Sequence, residues 1–244
     1  MALLTNALAG LFFLVGSFLA LFEKKKKGLI EFSIGLSFSV MVLLLAFDIV
    51  PEILELLEDK GTIFMYIFIT IGIVMLKLID MLVPHHDHDE EIITHHRHLN
   101  HIGIISSLAL VVHNVIEGIG VYNIALHDFK AGILMAIGVG LHNIPFGIEI
   151  TATLNETKKN KKVVFGNIVL LTLSTVLGGL IMMIFKSIDD FILGSLMSLT
   201  VGMIIYLVLF ELLIELGASK NRKYSVAGLV TGVLFMLVVF IIGG

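Results

Sequence analysis

The chain has no cysteine, so disulfides and thiolate ligands are excluded and any metal site must use His, Asp, Glu, Asn or backbone oxygen. Charge is scarce as well. Only 15% of the 244 residues are Asp, Glu, Lys or Arg, against about 25% in an ordinary soluble domain. The HExxH pair of zinc hydrolases does not occur. There is no ATP-binding motif either, which leaves ion gradients as the source of work for any transport.

Apolar residues fill the space that charge vacates. They make up 57% of the chain, with a mean hydropathy of +1.04. They come in blocks of the roughly 20 residues needed to cross a ~30 Å hydrocarbon core. Soluble packing is excluded. In a bilayer these blocks must be helices, because each unpaired backbone group in hydrocarbon costs several kcal/mol. The expected fold is therefore an all-α polytopic bundle of eight transmembrane helices in one domain, at about 2–22, 29–57, 62–83, 101–126, 131–154, 163–186, 190–217 and 224–243. The first block is no signal peptide by pattern: it lacks a basic leading region, and its lysines follow the apolar stretch.

Orientation comes from the basic residues. Twelve lie in the connections after spans one, three, five and seven: Lys24 to Lys27, Arg97, Lys158, Lys159, Lys161, Lys162, Lys220, Arg222 and Lys223. The opposite side has only Lys60, Lys130 and Lys186. The positive-inside rule makes the richer side cytoplasmic and puts both termini outside. The connection at 84–100 then becomes a cytoplasmic, histidine-rich loop. Its His85, His86, His88, His95, His96 and His98 form a loose transition-metal-binding cluster, or else simply a solvated loop. Short loops point to a cell membrane, specifically a prokaryotic inner membrane.

Two matched motifs lie deep in the apolar blocks, HNVIEG at His113–Gly118 and HNIPFG at His142–Gly147. His113 and Glu117 are four residues apart and project from one helix face, where both can grip one ion. Asn114 and Asn143 add neutral oxygens. Gly118 and Gly120 admit a neighbouring helix at close range. Pro145 removes a backbone N–H and is expected to kink its helix. Spans four and five run in opposite directions, so the two His-Asn pairs can meet near the midplane. Ionisable groups there cost at least ~2.5–3.5 kcal/mol each, which favours function over polar glue between helices.

Further carboxylates flank this depth. Asp48, Glu52 and Glu55 lie at i, i+4 and i+7 in the outer half of span two, with Pro51 among them. Glu211 and Glu215 lie near the inner end of span seven, and Asp80 near that of span three. Asp48, Glu52, Glu211 and Glu215 are expected along a permeation route. For Glu55, Asp80 and Glu215 an interfacial role is the alternative, with Asp80 paired to Lys77. Glu149, two turns after His142 on nearly the same face, is either a further ligand or an interhelical hydrogen-bond partner. His127 is expected to be a plain surface residue.

These motifs, with FDIVPEILE at Phe47–Glu55 and VGMIIYLVLFELLIEL at Val201–Leu216, resemble the ZIP (Zrt/Irt-like) metal transporters over essentially the whole chain, and most closely their prokaryotic branch. The resemblance implies a metal site, often binuclear, between spans four and five with help from span six. It also implies alternating access by one group of spans against the rest, with an inverted repeat, and commonly a homodimer. On that pattern His113 and Glu117 are ligands, Asn114 turns toward a second metal position, and His142 and Asn143 are the matching residues of span five.

Two positions depart from it. Phe146 stands where the family has a bridging Glu, and TVLG at Thr175–Gly178 lacks the acidic residue expected in span six. The expected site is therefore mononuclear, built on His113, Glu117 and His142, with Asn114, Asn143 and Glu149 around it. Two imidazoles and one carboxylate favour Zn2+ or Fe2+ over Mg2+ or Ca2+. The expected function is divalent metal transport into the cytoplasm. The ion, Zn2+ first, is the substrate; no organic cofactor, enzyme activity or nucleic-acid partner is expected. Two alternatives remain: a metal-binding sensor of the same fold, and an intramembrane zinc hydrolase.

Overall fold

A computed structural model describes residues 1–22, 28–82, 91–156, 161–185, 188–219 and 221–243, with the side chains of 91–100, 156 and 242–243 outside the description. All regular structure among the described residues is helical: α1 (Ala2–Phe22), α2 (Leu29–Leu44), α3 (Val50–Leu56), α4 (Ile63–Leu82), α5 (Glu91–His127), α6 (Phe129–Glu156), α7 (Lys161–Phe185), α8 (Asp190–Tyr206), α9 (Leu213–Ala218) and α10 (Arg222–Gly243). A π-helical turn at Leu45–Ile49 joins α2 to α3, and another at Leu207–Leu212 joins α8 to α9. Counting each joined pair as one, eight helices among the described residues are long and apolar enough to cross a membrane. The all-α bundle expected from the sequence is present.

The π turns were not anticipated. The first directly precedes Pro51, which has no N–H and whose ring crowds the carbonyl four residues back, at Phe47. A widened turn relieves both constraints. The second has no proline, and no residue in LVLFEL accounts for it. Pro145 behaves differently, because α6 continues as α-helix through it. The Pro145 carbonyl accepts a 3.3 Å hydrogen bond from Ser37 Oγ of α2. The fourth span begins at His101, as expected, but its helix extends beyond the span. Helix α5 begins at Glu91, so the second half of the histidine-rich connection is helical, while His85, His86 and His88 lie outside the described residues.

Packing sorts the helices into two groups. Helix α1 packs chiefly on α6 and α5 on α7, and further contacts knit all four together. Helix α2 packs chiefly on α10 and α4 on α8, with α3 and α9 linking these pairs. Within each of the four principal pairs, a glycine from each helix faces the other's backbone. These are Gly16 with Gly147, Gly118 with Gly178, Gly35 with Gly228, and Gly72 with Gly202. A Cβ at any of them would strike a partner carbonyl. Because lipid tails are as apolar as leucine, helix association in a membrane depends on such close approach. Gly118 thus acts as expected, whereas Gly120 lines a cavity. Asn6 of α1 fastens the first group, donating through Nδ2 to the carbonyls of Gly118 (2.7 Å) and Thr175 (2.8 Å).

Candidate metal centre

His113 and Glu117 lie one turn apart on α5, and Gly118 just beyond them lets α7 close behind. His142 projects from α6. Glu117 Oε1 lies 3.1 Å from His113 Nε2 and 3.0 Å from His142 Nε2. The imidazole ring centres are 6.2 Å apart. One ligand atom from each residue falls within 4.8 Å of the other two. Such spacing suits a shared ion with bonds of roughly 2.0–2.2 Å after small side-chain adjustments. Both histidines are 2% exposed, and Glu117 Oε2 is buried with no partner among the described residues.

A cavity of about 680 Å3 leads to this cluster. It runs from Ala131 and Leu193, close to the α5–α6 turn, down to His113, Glu117 and His142. Asp48, in the first π turn, and Glu52 line it above the cluster. A carboxylate on a cavity wall raises local cation concentration.

The other expected site residues have varied settings. Asn114 turns to α7 and donates from Nδ2 to the Leu171 carbonyl (3.2 Å). Asn143 is fully buried, with neither side-chain polar atom partnered among the described residues. Glu149 is likewise fully buried and unpartnered there, but it neither joins the cluster nor lines the cavity. The shared face with His142 did not suffice, because two turns, about 10 Å of rise, separate them. Phe146 lies between. Its ring is buried, 6.1 Å from the His142 ring and tilted by 52°. Thr175 Oγ1 is buried without a partner among the described residues.

At the opposite end, where the lysine-rich connections lie, the sequence reading missed a second convergence. Asp80 of α4 does not pair with Lys77; it meets His101 Nε2 of α5 and accepts a 2.8 Å hydrogen bond from the Tyr206 hydroxyl. Glu211, in the second π turn, joins with Oε1 3.8 Å from His101 Nε2. Glu215 is buried outside this set, and His127 is exposed as expected. His101 had been read only as the start of a span. The available signal was that Asp80 and His101 bracket one connection at the same membrane depth. The side chains of His95, His96 and His98 lie outside the described residues.

A family model described as ZIP Zinc transporter matches residues 84–239, well over half of the chain. The chain belongs to the ZIP family. Curated relatives align over nearly the full length of this ZIP chain. A zinc transporter ZupT of Streptococcus mutans is 27% identical over 97% of the chain and 95% of its own length. One from Clostridium perfringens is 27% identical over 98% and 94%, and one from Oceanobacillus iheyensis 26% over 98% and 96%. These relatives are named as transporters, not enzymes. In this ZIP chain Glu117 is already engaged by both histidines, which leaves it unsuited as the free base of a hydrolase.

Proposed function

We propose that this ZIP chain carries divalent transition-metal ions, zinc foremost, into the cytoplasm through a single-ion site of His113, Glu117 and His142. The observation that carries the reading is the convergence of these three side chains at the foot of the cavity. The names of the full-length relatives agree with it. Two imidazoles and a carboxylate suit Zn2+ or Fe2+ and replace the ion's water shell, which Mg2+ gives up reluctantly.

The lysine count makes the α5–α6 turn extracellular and both termini external. An ion then enters past Glu52 and Asp48 and loses water at the cluster. It leaves toward Glu211 and the histidine-rich segment. The α1, α5, α6 and α7 group holds both halves of the site and moves against the other group, giving alternating access. Phe146 and Thr175 leave the second metal position without carboxylates, so one ion binds at the midplane. The active unit is a homodimer in the cell membrane.

Uptake of Zn2+, Fe2+, Mn2+ and Cd2+ into proteoliposomes tests this, with His113→Ala as the comparison. Zn2+ uptake that falls to background in the variant is the expected result. Binding of metal by the wild type without uptake of any ion would sink the transport reading. It would favour a metal-binding sensor of the same fold, which the loss of carboxylates at Phe146 and Thr175 makes the second reading.

A further inference from the structure

We propose that Glu149 is a proton-binding site on the lysine-rich side of the His113 cluster, and that the bundle seals below the cluster only while Glu149 is un-ionised. The inference rests on the transport reading for its direction. Its ground is a pair of facing stripes. Along α6, His142, Phe146, Glu149 and Thr153 recur every three or four residues and so share a face. Along α5, Glu117, His113, Leu110, Ser106 and Gly103 do the same in the opposite direction. Glu117 meets His142 at one end of the pair, and Gly103 faces Thr153 and Leu154 at the other.

Between those ends the stripes change character. Phe146 and Leu110 come first below the cluster, both buried, and the cavity lining on these stripes stops above them. Glu149, Ser106 and Thr153 follow, each 0% exposed. Both Glu149 carboxyl oxygens, Ser106 Oγ and Thr153 Oγ1 are buried with no hydrogen-bond partner among the described residues. An apolar plug thus separates the metal cluster from a sealed polar patch.

No charge stands level with Glu149 to offset its own. Helix α1 has no titratable side chain from Ala2 to Phe22. The stretch of α5 level with Glu149 has none either; His101 and His113 bound it, with Glu117 beyond. Helix α2 has only Glu31, near its start, where Asn221 Nδ2 donates to it at 2.7 Å. Lys161 and Lys162 of α7, and Arg222, Lys223 and Tyr224 of α10, stand in first turns at the lysine-rich end. On α6 itself Lys130, His142 and Glu156 are at least seven residues away. An ionised carboxylate without water or a counter-charge is costly to bury, so the group holds a proton instead. One carboxylate beside two hydroxyls is also a poor donor set for a transition-metal ion.

Movement of the α1, α5, α6 and α7 group lets water reach Glu149 from the lysine-rich end, and the proton leaves past the Thr153 hydroxyl. The carboxylate then draws the ion out of the cluster, about 10 Å away along α6. Closing the seal again requires Glu149 to regain a proton. Phe146 blocks the cavity side, so that proton comes from the cytoplasm and none crosses the membrane. Raising the cytoplasmic pH leaves fewer chains with Glu149 protonated, and so slows the return.

Two measurements on the full chain test this. In infrared spectra of the purified protein at neutral pH, the carbonyl stretch of un-ionised carboxylic acids should lose intensity in Glu149→Gln and in Glu149→Ala. Zn2+ binding retained at the His113 cluster shows that either variant is folded. In proteoliposomes with the lysine-rich end facing the lumen, Zn2+ uptake is followed as lumen pH rises at a fixed outer pH. Wild-type uptake should fall, toward the limit of about tenfold per pH unit for one proton, and the Glu149→Gln profile should be flat. A carbonyl band unchanged in both variants would overturn the proposal. So would a Glu149→Gln profile as steep as that of the wild type. A wild type that binds Zn2+ and carries none defeats the transport reading alone, and the infrared band then still decides whether Glu149 holds a proton.

Discussion

The two carboxylate–histidine clusters of this molecule are built from similar parts in opposite ways. At the foot of the cavity, two histidines share one carboxylate, all three from α5 and α6 within one packing group. At the far end, one histidine meets two carboxylates drawn from both groups, and none of the three lines that cavity. The difference matters for carriage. An ion held by one body can travel with it unchanged, whereas ligands split between two bodies separate when those bodies move.

The comparison breaks most sharply at Glu117, the one oxygen that both midplane histidines touch. Glu117→Ala is expected to weaken metal binding at the His113 cluster by more than about 100-fold, beyond the range for outer-shell partners. Titration calorimetry showing unchanged affinity would mean that Glu117 is not a ligand. Next in size is Gly118→Val, which forces a side chain against the Thr175 carbonyl. Overpacking of that kind costs typically about 1–3 kcal/mol, read as a lower melting temperature in detergent. An unchanged melting temperature would show that α5 and α7 do not depend on their close approach.

Phe146→Glu sharpens the midplane half. It restores the carboxylate that the family pattern places there, and should raise midplane stoichiometry or shift selectivity among Zn2+, Fe2+ and Mn2+. An identical competition profile would show that the position is not a bridging one. Tyr206→Phe probes the other half. Loss of its hydrogen bond to Asp80, worth about 1 kcal/mol, should lower the melting temperature in detergent slightly and leave metal binding at the His113 cluster unchanged. The smallest effect is expected at Glu149→Gln, with no change in stoichiometry at either cluster, because Glu149 joins neither. An ion lost in that variant would return Glu149 to the ligand set.

Much of the His113, Glu117 and His142 cluster was legible in the sequence. His113 and Glu117 had to share a face because helical spacing puts them there. His142 had to lie at similar depth because the spans are antiparallel and nearly equal in length. Asp48 and Glu52 line the cavity that leads to it. Glu149 marks the limit of such reasoning, since angular position on a helix says nothing about what fills the two turns between, and here Phe146 does. His101 and Tyr206 were illegible for the opposite reason. Each has an ordinary setting in its own span, and only the packing of α4, α5 and α8 brings them to Asp80.

The sequence by itself determined the class of molecule: hydrocarbon leaves a chain this apolar no option but helices, and 244 residues in these blocks make eight crossings. It also determined the donor chemistry, because a cysteine-free chain with paired His-Asn motifs offers imidazole and carboxylate and little else. Only the tertiary structure decided which donors meet. Convergence depends on which helices approach closely enough for side chains of 3–6 Å reach to touch. That is set by eight glycines whose partners lie far away in the chain, and by two π turns that re-aim a single carboxylate each.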